Sequence, residues 1–134
     1  MQMYMKAADV LKMLENGKNL KSVCYNGDLG KLLGPIYKMN LKISENKQIL
    51  EDILAIYSKD GSVRNRELML ILIYELFLGA GKIKGGGALK RTLMVKKEAV
   101  EKKFGATLVK LREECNKEEN SRIVQIRHYY KEGH

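Results

Sequence analysis

Apolar residues recur at helical spacing through the first part of the chain. Residues 4–16 carry one apolar stripe, and Gly17 just beyond it is a suitable left-handed stop. Asn19 is a suitable N-cap for a short second helix that ends at an Asn-Gly pair. Pro35 is tolerated only in the first turn of a helix, so the next helix is expected to begin near it. This part of the chain therefore predicts three helices.

The next two segments differ in how their apolar residues are distributed. Residues 45–57 have an amphipathic pattern, for which Ser44 is a suitable N-cap. Residues 66–78, which Asn65 can cap, are apolar on nearly every side. Such a helix belongs in the centre of a bundle, and a buried β-strand is the alternative. The length of this run and its Leu and Met content favour a central helix.

A glycine-rich break separates this segment from the C-terminal part of the chain. Five glycines fall within residues 79–87. A long helix is predicted over residues 88–114, weakened at Gly105, where it is expected to kink or split. Residues 121–130 alternate apolar and polar side chains, which predicts a short strand whose partners lie outside this chain.

Length and composition agree with one all-α domain. The chain has 134 residues, is 45% apolar and 31% charged, and contains one Pro and no Trp. We therefore expect a compact bundle of about six helices around the apolar segment, with a strand-like segment at the C-terminus. The longest apolar run, residues 68–78, contains Glu75 and is too short to cross a bilayer, so no membrane association is expected.

The positive charge is concentrated in one part of the chain. The net charge is +9, of which residues 82–117 contribute +7, while residues 1–81 contribute +2 and residues 118–134 cancel. A concentrated basic segment is typical of proteins that bind polyanions, and a solvated helix face is the alternative. The candidate RNA-binding residues are Lys82, Lys84, Lys90, Arg91, Lys96, Lys97, Lys102 and Lys103.

The glycine-rich break is not a nucleotide-binding P-loop. That motif has a Gly at the position of Leu76 and a Ser or Thr at the position of Ile83, and it follows a strand. Two interpretations remain. Backbone amides beside Lys82 and Lys84 could approach a phosphate closely, or the glycines could form only a helix stop and a flexible link.

No catalytic or metal-binding set can be recognised among the remaining residues. Glu75 lies in the apolar helix without a nearby His or second carboxylate, so a structural carboxylate is the preferred interpretation. Cys24 and Cys115 cannot form a four-ligand zinc site and have no adjacent base, so we expect ordinary thiols. Neither a catalytic, a cofactor-binding nor a metal-binding residue is predicted.

Three segments together resemble a known family. Residues 4–11, residues 20–25 (LKSVCY) and residues 72–81 (LIYELFLGAG) are similar to the N-terminal region of the NSUN family of RNA cytosine-5-methyltransferases. The most similar type is its fifth member, which modifies large-subunit ribosomal RNA. The resemblance covers roughly residues 4–112, and Ala80 stands where the family usually has Lys.

The resemblance implies a helical N-terminal RNA-binding domain over residues 1–117. Residues 122–127 resemble the strand that opens the next family domain, so residues 118–134 are expected to be a linker and the start of a domain absent from this chain. The family uses S-adenosylmethionine in that absent domain, and its catalytic cysteines follow Pro or Thr, whereas Cys24 follows Val and Cys115 follows Glu. The fragment itself is therefore expected to be non-catalytic and to hold no cofactor.

The resemblance also implies partners and a location. The expected partners are large-subunit ribosomal RNA and the chain's own downstream catalytic domain, and the expected location is the nucleolus within the nucleus. The alternative function is a protein-interaction module that docks on the catalytic domain or on a ribosome-assembly factor. A complete enzyme is the third alternative.

Overall fold

The computed structural model describes residues 2–59, 63–85 and 87–131, with side chains described as far as Cys115. Every regular element in these ranges is helical, which confirms the predicted all-α class and excludes the strand alternative for the apolar segment. The described elements are α1 (Gln2–Glu15), α2 (Leu20–Asn26), a 3₁₀ turn (Gly30–Leu32), α3 (Leu33–Glu45), α4 (Lys47–Ser58), α5 (Arg66–Phe77), α6 (Gly87–Val95) and α7 (Lys97–Lys131).

Local signals in the sequence set several of these helix boundaries. The side-chain oxygen of Asn19 accepts a hydrogen bond from the Ser22 amide at 3.3 Å, and that of Asn65 accepts one from the Leu68 amide at 3.1 Å. Both bonds satisfy amides that the first turn of a helix leaves unpaired. Gly17 follows α1 with φ +89°, a conformation that favours glycine. These predicted caps and this predicted stop are confirmed.

The predicted start of α3 is right, and the predicted start of α4 is wrong. Pro35 does lie in the first turn of α3, directly after the 3₁₀ turn, as predicted. Ser44 is not an N-cap, because α3 continues to Glu45. Asn46 closes α3 instead: its side-chain amide donates to the Lys42 carbonyl at 2.9 Å, and its backbone amide bonds to the same last turn.

The long helix predicted over residues 88–114 is two helices. The break falls at Lys96 rather than at Gly105, and it raises the number of described α-helices to seven. At the break the Lys96 ammonium donates to the Ile56 carbonyl at 3.1 Å, which bonds this point of the chain to α4. Such a contact between distant segments leaves no mark in the local sequence pattern.

The strand predicted over residues 121–130 is wrong. Helix α7 continues through this segment to Lys131. Extending an existing helix fixes one residue for each hydrogen bond gained, whereas a strand needs a neighbouring strand to pair with. No strand exists in the ranges that the structure describes, so the helical state is the one available.

Helix α5 forms the centre of the molecule. Every residue from Leu68 to Phe77 is buried, and α5 packs against α1, α3 and α4. Leu72 and Ile73 are fully buried, as expected for a central helix. At the start of α5, the Arg66 guanidinium forms ion pairs with Glu15 of α1 and Glu51 of α4, which connects three helices at this end. Within the described ranges, no helix has the length and apolar character needed to span a membrane.

Candidate nucleic-acid interface

The glycine-rich break at residues 79–87, called the glycine loop below, is hydrogen-bonded to the buried end of α5. The Glu75 carboxylate, in a residue only 7% exposed, accepts a hydrogen bond from the Ala80 amide at 2.9 Å. The backbone carbonyl of Glu75 accepts one from the Gly81 amide at 3.0 Å. A Cβ at Gly79 would lie 2.5 Å from the Glu75 carboxylate, so this close approach requires glycine. Glu75 thus has a structural role, because its carboxylate holds the start of the loop against α5.

The far side of the loop is fixed to helix α1. The Lys84 amide donates to the Tyr4 hydroxyl at 3.2 Å, and the neighbouring Ile83 side chain is buried in the core. Burial raises the pKa of Tyr4, the Lys84 amide partly opposes this shift, and the negative charge of Glu75 raises that pKa further. The loop is therefore a helix stop with specific anchors on both sides of Lys82, rather than an unattached link.

Arg112 closes the end of α5. Its Nε and Nη2 atoms donate to the Phe77 carbonyl at 3.0 and 2.9 Å. A cation at a helix C-terminus satisfies a carbonyl that has no intrahelical partner and interacts favourably with the helix dipole. Arg112 lies within the basic segment of residues 82–117, and its bonds to Phe77 join α7 to the base of the glycine loop.

Six of the eight candidate RNA-binding residues are exposed. Two lie on the glycine loop, two on α6 and two on α7. On α7 the buried residues Val100 and Leu108 mark the inner face, and Lys103 lies away from that face. The six residues are Lys82, Lys84, Lys90, Arg91, Lys102 and Lys103.

The other two candidates are half-buried and bonded within the protein. Lys96 donates to the Ile56 carbonyl of α4, and the Lys97 ammonium lies 3.8 Å from the Glu101 carboxylate. The ammonium of Lys103, which is exposed, lies 5.5 Å from the centre of the Phe104 ring. Lys96 and Lys97 thus contribute to the internal contacts of the α6–α7 region.

Neither cysteine is placed for nucleophilic chemistry. Cys24 and Cys115 are both buried and form no disulfide. Burial raises the pKa of the Cys24 thiol, which disfavours the reactive thiolate. The part of the chain that the structure describes contains no group of three His, Cys, Asp or Glu side chains that could hold a metal ion.

Comparison with known proteins adds no relative from which a function could be taken. No protein-family model matches the chain, and no curated protein or solved structure matches it.

Proposed function

We propose that this chain is an RNA-binding module, the N-terminal domain of an S-adenosylmethionine-dependent ribosomal RNA cytosine-5-methyltransferase whose catalytic domain lies outside it. In this proposal the module contacts large-subunit ribosomal RNA in the nucleolus and positions it for the catalytic domain. The methyl donor belongs to that other domain, because the glycine loop here follows a helix and not the strand of a dinucleotide-type site.

The observation that carries the proposal is the exposed basic surface beside an anchored glycine loop. Residues 82–117 hold +7 of the net charge of +9. Lys82 and Lys84 extend from backbone that Tyr4 and Glu75 hold in place. A backbone fixed before binding reduces the entropy that is lost when a phosphate is contacted. Lysine and arginine contacts to phosphates supply affinity without base specificity.

The proposal is tested by the salt dependence of RNA binding. Each phosphate contact contributes about 0.7–0.9 to the slope of log affinity against log salt concentration. Replacing Lys82, Lys84, Lys90 and Arg91 together with Ala should weaken binding to all RNAs about equally and reduce that slope by roughly 3–4. Fluorescence anisotropy with labelled single-stranded and duplex RNA measures both quantities.

A charge-matched control separates a local surface from a general effect of net charge. Lys12, Lys18, Lys21 and Lys31 are exposed and lie outside the basic segment. Replacing these four with Ala removes the same charge, and we expect it to leave most of the slope in place. Equal losses in the two quadruple variants, or no salt-dependent binding by the wild-type chain, would reject the proposal.

A second candidate function rests on two exposed apolar side chains. Met94 is 46% exposed and Val95 is 79% exposed, at neighbouring positions near the end of α6. Large exposed apolar side chains supply contact area when a partner protein covers them. If replacing Met94 and Val95 with Gln abolishes binding to the catalytic domain while the basic quadruple variant still binds RNA normally, the basic surface is not the RNA-binding surface, and the docking function is supported in its place.

A further inference from the structure

A cavity of about 640 Å³ opens beside the glycine loop. It lies between the first half of α3, the end of α5 and the loop itself. Sites for small molecules commonly have volumes of about 300–1,000 Å³, so the cavity is large enough for a nucleotide. Its apolar lining residues include Met3, Pro35, Met39 and Leu78.

The polar lining of the cavity has a defined arrangement of charge. The Glu75 side chain is buried in the wall, where the Ala80 amide fixes its carboxylate. Lys38 is half-buried in the wall, and the exposed Lys84 lies at the rim. The cavity thus offers a fixed hydrogen-bond acceptor within the wall and two cations, one of them at the rim.

An ionised carboxylate accepts hydrogen bonds and donates none, and it has about four acceptor positions. The Ala80 amide uses one of them, and the neighbouring Tyr4 hydroxyl interacts with a second, which leaves two for a ligand. Guanine carries two neighbouring donors, N1–H and N2–H, on its Watson–Crick edge, whereas adenine and cytosine carry one amino group there and uracil carries one imino group. Of the four bases, guanine is therefore the best match to the Glu75 carboxylate.

We propose that this cavity binds one unpaired guanine nucleotide of the RNA, with the Watson–Crick edge on Glu75 and the phosphate beside Lys84 and Lys38. The inference rests on the proposed RNA-binding function and adds base selectivity to it. The guanine must be unpaired, because a duplex occupies the edge that Glu75 would contact. The Lys82–Lys84 loop brings the RNA backbone to the mouth of the cavity.

The experiment compares decamers of uridine that carry one central guanosine, inosine or adenosine. A good bidentate pair discriminates against the wrong base by roughly 5- to 150-fold. We therefore expect the full chain to bind the guanosine decamer that much more tightly than the adenosine decamer. Inosine, which lacks the N2 amino group, should give an intermediate affinity.

Two variants test the assignment to Glu75 and to the cavity. Glu75→Gln keeps a carbonyl oxygen that can accept from the Ala80 amide but loses the second acceptor oxygen. It should remove the preference for guanosine and keep the salt slope. Gly34 lines the cavity, and a Cβ there meets no atom within 4 Å, so Gly34→Leu places a larger side chain at the wall from an unobstructed Cβ position. Gly34→Leu should also remove the preference for guanosine. It tests the assignment to the cavity on its own if Glu75→Gln does not fold.

Equal affinity of the wild-type chain for the three decamers, with a normal salt slope, would overturn the cavity assignment and leave RNA binding intact. Retention of the preference in folded Glu75→Gln would overturn it as well. If no decamer binds, the proposed function fails. Titration of the chain with guanosine and adenosine monophosphates then decides the cavity assignment, which stands only if the guanosine nucleotide binds more tightly.

Discussion

Two tyrosines of this chain have opposite environments and form a matched pair for measurement. Tyr57 is 1% exposed, and its hydroxyl donates to the Leu93 carbonyl of α6 at 2.7 Å. Tyr25 is 72% exposed. Tyr57→Phe removes the bond between α4 and α6, so we expect its free energy of unfolding to fall by about 1–2 kcal/mol. Tyr25→Phe should change it by less than about 0.5 kcal/mol. Urea unfolding of both variants checks the difference, and equal effects would contradict the buried bond.

The same residue predicts how stability depends on pH. Burial raises the pKa of Tyr57, and the nearby charge of Glu101 adds to that shift. In the unfolded chain a tyrosine loses its proton near pH 10. Above that pH the unfolded state releases a proton that the native state retains, so unfolding becomes more favourable as the pH rises toward the native pKa.

Wild-type protein should therefore lose up to about 1.4 kcal/mol of stability per pH unit above about pH 10 through this residue. Tyr57→Phe should lose less stability than the wild-type protein over that pH range. Tyr25→Phe should retain the wild-type slope, because the Tyr25 side chain is exposed and forms no buried bond that the substitution removes. The measurement is a series of urea unfolding curves from about pH 8 to 11. If the slope of stability against pH is the same in Tyr57→Phe as in the wild-type protein, the proposed contribution of the Tyr57 hydroxyl is wrong.

At the scale of the helices, two glycines are expected to respond to Ala in opposite directions. Gly105 lies inside α7, and a Cβ there meets no atom within 4 Å. Gly105→Ala should raise the free energy of unfolding by about 0.5–1 kcal/mol, because glycine is a poor helix former. A Cβ at Gly79 lies 2.5 Å from the Glu75 carboxylate and 3.1 Å from its Cα. Gly79→Ala should lower the free energy by about 1–3 kcal/mol through overpacking. A free energy of unfolding that does not fall in Gly79→Ala would contradict the close packing of the loop on α5, and one that falls in Gly105→Ala would contradict the open space at Gly105.

Helix boundaries fixed by short-range bonds could be predicted from the sequence. The Asn19 and Asn65 caps and the Gly17 stop each depend on residues within a few positions of one another. Lys96, at the break between α6 and α7, bonds to Ile56, forty positions away, and no local pattern encodes that contact. The strand prediction at residues 121–130 failed for a related reason, since alternation without a partner strand does not oppose the extension of a helix.

The exposure of the basic segment could be predicted in general and not residue by residue. Clustered charge indicated residues 82–117, and most of the named cations there are exposed. Composition does not distinguish Lys96, which bonds to a helix end, from Lys102, which is exposed. The cavity beside Glu75 could not be predicted, because its walls come from four helices and a loop.

At the scale of the whole molecule, side-chain bonds to helix carbonyls connect the basic part to the apolar core. Tyr57 bonds to the carbonyl of Leu93, and Lys96 and Arg112 bond to carbonyls of α4 and α5. Buried side chains of α6 and α7, among them Leu93 and Leu108, belong to the same core cluster as α5. We therefore infer that helices α6 and α7 unfold together with the rest of the described domain.

Leu72→Ala tests this shared core, because Leu72 is fully buried in the central helix. A large-to-small change at such a site costs about 2–5 kcal/mol. A change of 1 kcal/mol shifts the Tm of a domain of this size by roughly 2–8 °C, so the effect is readily measured. Met13→Ala, at a side chain that is 48% exposed on α1, is the control and should change the Tm little.

The unfolding of Leu72→Ala should remain a single transition despite the lower Tm. Helix content, followed by circular dichroism, reports on the whole chain, and a single Trp in place of the half-buried Phe104 reports on α7. Coincident transitions by the two probes, both shifted by Leu72→Ala, are expected when one core serves every helix. If the α7 signal stays at its wild-type temperature while the helix signal shifts, α7 folds independently of α5. In that case the anchors at Tyr57, Lys96 and Arg112 contribute little to the cooperativity of the fold.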